Sequence, residues 1–271
     1  MHWLTNTVID IHPTAVIHPS AKLGDGAKIG PYAVVGEHCS IGSGTTLGPH
    51  AVIEAYTTIG SDCQIFSGAV IGAVPQDLKY AGEQSYTVIG DRNVIRECVT
   101  VNRATGLGEV TRVGDDNLLM AYVHVAHNCI VGNHVVLANA VTLAGHVEIE
   151  DFVTIGGLTG VHQFTRIGTM AMVGAMARVV QDVPPYMLTE GNPPKVFGPN
   201  VLGLKRRGLD QDTRTLLKRA YKLLYRSNLN VSQAMEQIAE LGDSEHVRHF
   251  LNFIRASERG LVGKGEREAN A

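Results

Sequence analysis

From Ile11 to Val179 every sixth residue is Ile, Val or Leu, with two exceptions, Asp77 and Glu83. The first hexads read IHPTAV, IHPSAK, LGDGAK, IGPYAV, VGEHCS, IGSGTT and LGPHAV. A helix would repeat its apolar positions about every 3.6 residues and a half-buried strand about every 2, and neither period fits. The second place is often glycine, as at Gly24, Gly30, Gly36, Gly42, Gly48 and Gly60, which suits a turn at each corner of a triangular coil. The fifth place is mostly Ala, Thr, Cys or Val, small enough for a narrow interior. The pattern predicts a mainly β protein, a parallel β-helix of roughly nine or ten coils. Fully burying each Ile or Leu contributes roughly 1.5–3 kcal/mol, offset by the entropy of ordering the chain. Each coil touches only its neighbours, so both open ends need covering.

Two stretches interrupt the beat. Asp77 and Glu83 stand where apolar residues belong, so residues 72–88 are expected to leave the coil as an external loop. Asp77 and Lys79 are its polar candidates, because loops thrown out of a regular scaffold commonly bind. The glycine-rich segment Arg103–Val110 is expected to bulge, although Leu107 keeps the beat. After Val179 the repeat stops, and residues 181–200 read as a proline-rich connector unable to continue a strand or helix. Three helices then follow: one capped by Asp210 or Asp212 and running to about Arg226, one from about Ser232 to Leu241, and one from Ser244 to about Glu258. The expected organisation is a β-helix over 1–190, then a connector and a small α-helical domain over 191–271 with a frayed end, GKGEREANA.

Net charge is −3, which points to neither nucleic acid nor a membrane surface. MHWLTNTVID lacks the features of a signal peptide, and no run reaches a transmembrane length, so a cytoplasmic protein without membrane insertion is expected. Cys39, Cys63 and Cys129 fall at fifth places and Cys98 one place earlier, without CxxC spacing. They read as buried thiols rather than as metal ligands or disulfides.

The chemistry concentrates in Val113–Val147, which carries His124, His127 and His146. Three hexads make one turn of the coil, so residues eighteen apart stack at about 4.8 Å. His127, Gly145 and Gln163 share that interval, lining up a general base, a possible oxyanion donor and a ligand-binding amide on the outside of the fold. The rival is a zinc site of the carbonic-anhydrase type in a trimeric β-helix, although a structural zinc normally takes three or four ligands. From the residues alone, the chain is a β-helical transferase or hydratase with a histidine base.

The repeat array, HVAHNC, LAGH, GVHQF, QDVPPY, EGN and GLKRRG, in this order, resemble the bacterial UDP-N-acetylglucosamine O-acyltransferases that begin lipid A synthesis. The likeness runs from about Ile11 to Leu261. It implies a left-handed β-helix, a homotrimer with active sites between subunits, and a (R)-3-hydroxyacyl group delivered on the phosphopantetheine of acyl carrier protein. No other cofactor and no metal are implied. By position it makes His127 the base that activates the sugar 3-hydroxyl and Gly145 the oxyanion donor. Asp77, Lys79, His124, His146 and Gln163 would hold the nucleotide sugar, and Asn200, Arg206 and Arg207 its uracil and diphosphate end. Ala175 falls at the acyl-length ruler, where glycine leaves a long groove and methionine a short one, with Met170, Met172 and Met176 as further lining.

Four positions depart from the family pattern. Asn128 follows the base where many relatives have Asp; an amide orients the ring but brings no charge. Asn102, Pro193 and Leu202 replace His, His and Glu of relatives, which bears on the fine contacts to sugar and nucleotide. Arg214, Lys218, Lys222 and Arg226 recur every four residues, placing them on one helix face. That stripe is a docking candidate for an acidic carrier protein.

Overall fold

The computed structural model describes residues 8–242 and 244–263. The expectations for the first seven residues and for the frayed end after Gly263 lie outside that range. The chain winds into a left-handed parallel β-helix with three faces. Successive strands pass from the first face to the second and then the third, so hydrogen-bonded neighbours are three strands apart in the chain. In the regular coils the register is the predicted eighteen, as in Lys28↔Thr46 and His124↔Thr142. Across the first external loop it becomes Gln64↔Val94, and across the second Val94↔Leu118.

The opening residues of the hexads form a continuous buried column, including Ile29, Ile53, Ile95, Leu119 and Leu143. Ile11, in the first coil, is 45% exposed, and Leu107 is 80% exposed. The whole hexad around it is looped out, so it keeps the beat only by number. At the fifth place, small polar groups donate to carbonyls in the next coil. Thr45 Oγ1 reaches Gly60 O at 2.7 Å, Cys39 Sγ reaches Glu54 O at 3.0 Å and Cys129 Sγ reaches Ala144 O at 3.1 Å. Burial pushes the Cys129 thiol up to about 12, so it is inert at neutral pH. Cys98 departs from the expectation of buried thiols, because it lies at an exposed corner.

The corners correct the reading of the glycines. The left-handed backbone conformation falls at the fourth place, not the second, and mostly on residues other than glycine: Tyr32, His50, Asn128 and His146 have φ of 57–59°. Their amides are tied one coil back, as in His50 N to Pro31 O at 3.0 Å, and their rings stack along the edges, as in Tyr32 on His50 and His146 on Phe164. Second-place glycines answer a packing demand instead. A Cβ on Gly30 would lie 2.8 Å from the Leu47 carbonyl oxygen of the next coil.

The 181–200 segment is not a featureless connector. Met187–Glu190 joins the first face and pairs antiparallel with Lys195–Pro199. Its prolines sit at the ends and turn of this edge hairpin, where no ladder donor is needed. Helix α1 (Val201–Arg206), absent from the sequence expectation, follows with Asn200 as its N-cap. Helix α2 (Gln211–Tyr225) is capped by Asp210, α3 (Val231–Ala239) by Asn230 through a capping box, and α4 spans Glu245–Arg255. Helix α2 packs on α3, α4 and the hairpin. Phe250, Phe253 and Ile254 of α4 are buried. Between α4 and the coils, His249 Nε2 meets Glu150 Oε2 at 2.7 Å.

Candidate active site

The edge between the second and third faces carries most of the predicted chemistry. Going up this edge, it first throws out residues 74–85, one coil later residues 103–109, and then presents His127. The next coils bring Gly145 and Gln163 in register: His146 N donates to His127 O at 3.1 Å, and Phe164 N to Gly145 O at 3.2 Å. The imidazole lies flat over Gly145, so close that a Cβ there would sit 2.6 Å from Cε1 and Nε2. Among the described residues the Gly145 N–H has no acceptor. It is available to an incoming oxygen.

His127 Nδ1 is 2.9 Å from Asn128 Oδ1. Asn128 also donates through Nδ2 to Thr105 O at 3.0 Å and accepts at Oδ1 from Thr105 N at 2.9 Å. With Nδ1 engaged, Nε2 faces the first external loop, where Asp77 Oδ2 lies 3.9 Å away and both side chains are under one-fifth exposed. The neighbour that Asn128 cannot supply in charge is therefore supplied by the external loop. The Lys79 backbone N–H, at 3.0 Å from Asp77 Oδ1, holds that carboxyl below its ordinary range, and the His127 charge adds to the effect.

The other two histidines flank the base. His146 stands edge-on to it with centroids 5.3 Å apart, and burial, then the His127 charge, lowers its proton affinity. His124 donates to or accepts from Thr100 Oγ1 at 2.7 Å and is lowered first by burial. Both stay neutral hydrogen-bonding groups at pH 7. Lys79 is exposed and close enough to act on Asp77 and His146. Gln163 is exposed at the top of the column.

The remaining predicted residues lie elsewhere on the chain. Asn200, Arg206 and Arg207 line a cleft of about 270 Å³ with Phe152, Thr154, Met170 and Gly203, at the edge between the third and first faces. Arg207 lies over the Phe152 ring at 4.7 Å, leaving its planar fork open to an anion. Asn200 is occupied as a cap: Oδ1 accepts from Gly203 N and Nδ2 donates to Met170 O. Ala175 and Met176 are exposed at the third edge, between the first and second faces. Met170 is not beside Ala175; it belongs to the arginine cleft. Asn102 donates to Val74 O at 3.1 Å and so ties down the first loop. On α2, Lys218 and Lys222 are exposed, whereas Arg214 bonds Gln211 and Asp210, and Arg226, the C-cap, bonds Tyr221 Oη at 2.8 Å. Sequence reasoning missed Thr105 and Phe152. Glu83 was visible only as a break in the beat.

Among the described residues, no three His, Cys, Asp or Glu side chains cluster with metal-ligand geometry. A family model described as UDP-N-acetylglucosamine O-acyltransferase, domain 2, matches residues 182–262. A bacterial transferase hexapeptide model matches 111–145, and a GMPPB C-terminal domain model matches 11–109. The protein from Rippkaea orientalis named acyl-[acyl-carrier-protein]–UDP-N-acetylglucosamine O-acyltransferase is 57% identical over 74% of this chain and 73% of its own length. Its namesake in Gloeothece citriformis is 52% identical over 71% and 70%. Among solved structures, the UDP-N-acetylglucosamine acyltransferase of Francisella novicida superposes with a TM-score of 0.92 at 40% identity, covering 94% of this chain and 95% of its own. The corresponding Acinetobacter baumannii structure gives 0.90 at 42% identity, covering 93% and 99%. None of these relatives supports the zinc-enzyme reading. The chain belongs to the family of acyl-[acyl-carrier-protein]–UDP-N-acetylglucosamine O-acyltransferases.

Proposed function

We propose that this acyltransferase moves a (R)-3-hydroxyacyl group from the phosphopantetheine of acyl carrier protein to the glucosamine 3-hydroxyl of UDP-N-acetylglucosamine, the first step of lipid A synthesis, with His127 as general base. The observation that carries the reading is the placement of the His127 ring over the open Gly145 amide, with Nε2 facing Asp77. Nε2 takes the hydroxyl proton as that oxygen attacks the thioester carbonyl carbon. The carbonyl oxygen becomes an oxyanion beside the Gly145 N–H. Collapse breaks the C–S bond, and the imidazolium returns its proton to the departing thiolate. Asp77, charged at neutral pH, steadies the imidazolium between these two transfers.

Arg206 and Arg207 suit the diphosphate, and Phe152 holds the Arg207 plane in place. In one chain this cleft and the His127 column occupy different edges, and Ala175 occupies the third. A site that uses all three groups is completed by copies standing side by side, which favours the homotrimer with catalytic clefts between subunits. Lys218 and Lys222 are the docking contacts proposed for the acidic carrier protein. Among the described residues no helix is long and apolar enough to cross a membrane; we place the enzyme in the cytoplasm, where its donor and acceptor are both soluble. The test is mass spectrometry of the product from UDP-N-acetylglucosamine and a mixture of hydroxyacyl carrier proteins, beside His127→Ala. Wild type should yield one O-acylated sugar nucleotide, and the variant should lose about 10²–10⁴ in rate. Equal product from both would rule out the base.

A further inference from the structure

Asparagine beside a catalytic histidine is a hazard. Its oxygen and nitrogen differ little in shape, yet only the oxygen leaves the ring in a useful state. Were Nδ2 to face His127, Nδ1 would have to accept, Nε2 would carry the proton, and the base would have no lone pair to offer. In a serine protease the same error, an amide in place of the carboxylate behind the histidine, lowers kcat about 10⁴-fold.

The loop opposite Asn128 removes the ambiguity. Thr105 presents one backbone donor to Oδ1 at 2.9 Å and one backbone acceptor to Nδ2 at 3.0 Å, so only one orientation of the amide satisfies both. Oδ1 then accepts from His127 Nδ1 at 2.9 Å, and the lone pair is on Nε2. The Thr105 segment is itself held from the other loop. Glu83 Oε1 accepts from Gly106 N at 2.8 Å and Oε2 from Ala81 N at 2.8 Å. Gly106 has φ of +104°, a conformation that favours glycine and aims its N–H at the carboxylate. Gly108 N to Gln84 O at 2.8 Å and Tyr86 N to Glu109 O at 2.9 Å complete the seam.

We propose that Glu83 and Thr105 are positioning residues for the base: Glu83 fixes the 103–109 loop, the Thr105 backbone fixes the Asn128 amide, and the amide fixes the proton on His127 Nδ1. The inference rests on His127 acting as general base. It gives the second break in the repeat a task distinct from that of the first. Asp77 faces Nε2 of the base, whereas both Glu83 oxygens are taken up by backbone N–H groups of the two loops.

Long-range ¹H–¹⁵N correlation spectra of the full chain labelled in histidine report which ring nitrogen of neutral His127 bears the proton. Wild type should show it on Nδ1, and Glu83→Ala a mixture. In the same variant kcat should fall about tenfold, well short of the fully wrong tautomer, with both Michaelis constants within about twofold of wild type. Asn128→Asp supplies the cross-check, because both carboxylate oxygens accept and a flip has no consequence. On that background Glu83→Ala should cost less than about twofold in kcat. Glu83→Gln keeps one accepting oxygen; its loss should be smaller, vanish on the same background, and stand in for Glu83→Ala if that variant melts early. A wild-type proton on Nε2, or equal losses in both backgrounds, overturns the proposal. If the spectra behave as expected and wild type transfers no acyl group, the clamp stands and the proposed function fails.

Discussion

Gly145→Ala separates the position of the base from the oxyanion donor, because alanine keeps the backbone N–H and adds only a methyl. That methyl would lie 2.6 Å from His127 Cε1 and Nε2, where ordinary contact begins at about 3.4 Å. Gly145 has no left-handed φ, so the backbone accepts alanine and the conflict falls on the ring. The ring must retreat by roughly 0.8 Å, away from its line to the cleft. A misplacement near 1 Å costs on the order of 10²-fold, so kcat should fall about 50- to 100-fold, or roughly 2.5 kcal/mol of transition-state stabilisation. The thermal midpoint should move little, because the ring lies on the outside of the coil and shifts without opening a cavity in the apolar column. Steady-state acyl transfer with saturating UDP-N-acetylglucosamine and hydroxyacyl carrier protein reads the effect. A kcat within threefold of wild type, with the fold intact, would mean that the glycine does not set the ring, and the stacking argument would fail with it.

Three further outcomes follow from other parts of the chain. Ala175→Gly should shift donor preference toward longer acyl chains in a competition assay; an unchanged profile would reject Ala175 as the ruler. Reversing charge at Lys218 and Lys222 should raise the Michaelis constant for carrier protein several-fold at low salt and much less at high salt, and no salt-dependent change would return those lysines to solvent. The last concerns pH and the seating of α4. The Glu150 bond raises the proton affinity of His249. Burial pushes the Glu150 carboxyl up, but the His249 and Thr169 bonds outweigh it and leave it below its ordinary value. The His249 contribution is therefore complete below about pH 6.5 and lost as pH rises through its elevated value, while that of Glu150 is complete above about pH 4.5 and lost only as pH falls through its lowered one. Thermal midpoints should drop as pH rises above about 6.5 in wild type and follow a flatter line in Glu150→Gln.

The coil was legible because burial at a fixed period leaves a trace in every hexad, and the stacking of His127, Gly145 and Gln163 follows from counting alone. What stayed hidden was set by contacts between distant loops. Thr105 acts through its backbone, and any residue with an N–H could hold the same place, so no side-chain signal marks it. Phe152 differs little from the other fourth-place aromatics until α1 lays Arg207 across it. The hairpin at Met187–Pro199 was masked by its prolines, which sit where an edge strand tolerates them. The second-place glycines were seen, but their cause was misassigned. Sequence records that a Cβ is absent, not whether the reason is a dihedral angle or a neighbouring coil.

The two insertions explain why Leu107 misled and why the edge could acquire a site at all. They lengthen the register from eighteen to thirty and to twenty-four, that is, by two hexads and by one. Whole hexads leave the numbering of the apolar column in phase, so the shorter insertion is invisible to the beat and the longer one shows only through Asp77 and Glu83. Each loop runs from a second-face strand to the next third-face strand, so it enters and leaves at one corner without rotating the coils above it. Loop growth at this edge therefore left His127 stacked on Gly145 while bringing Asp77 to Nε2 and Thr105 to Asn128. The length of such a loop is free, whereas an insertion within a strand would have shifted the histidine column out of register and separated the base from both loops.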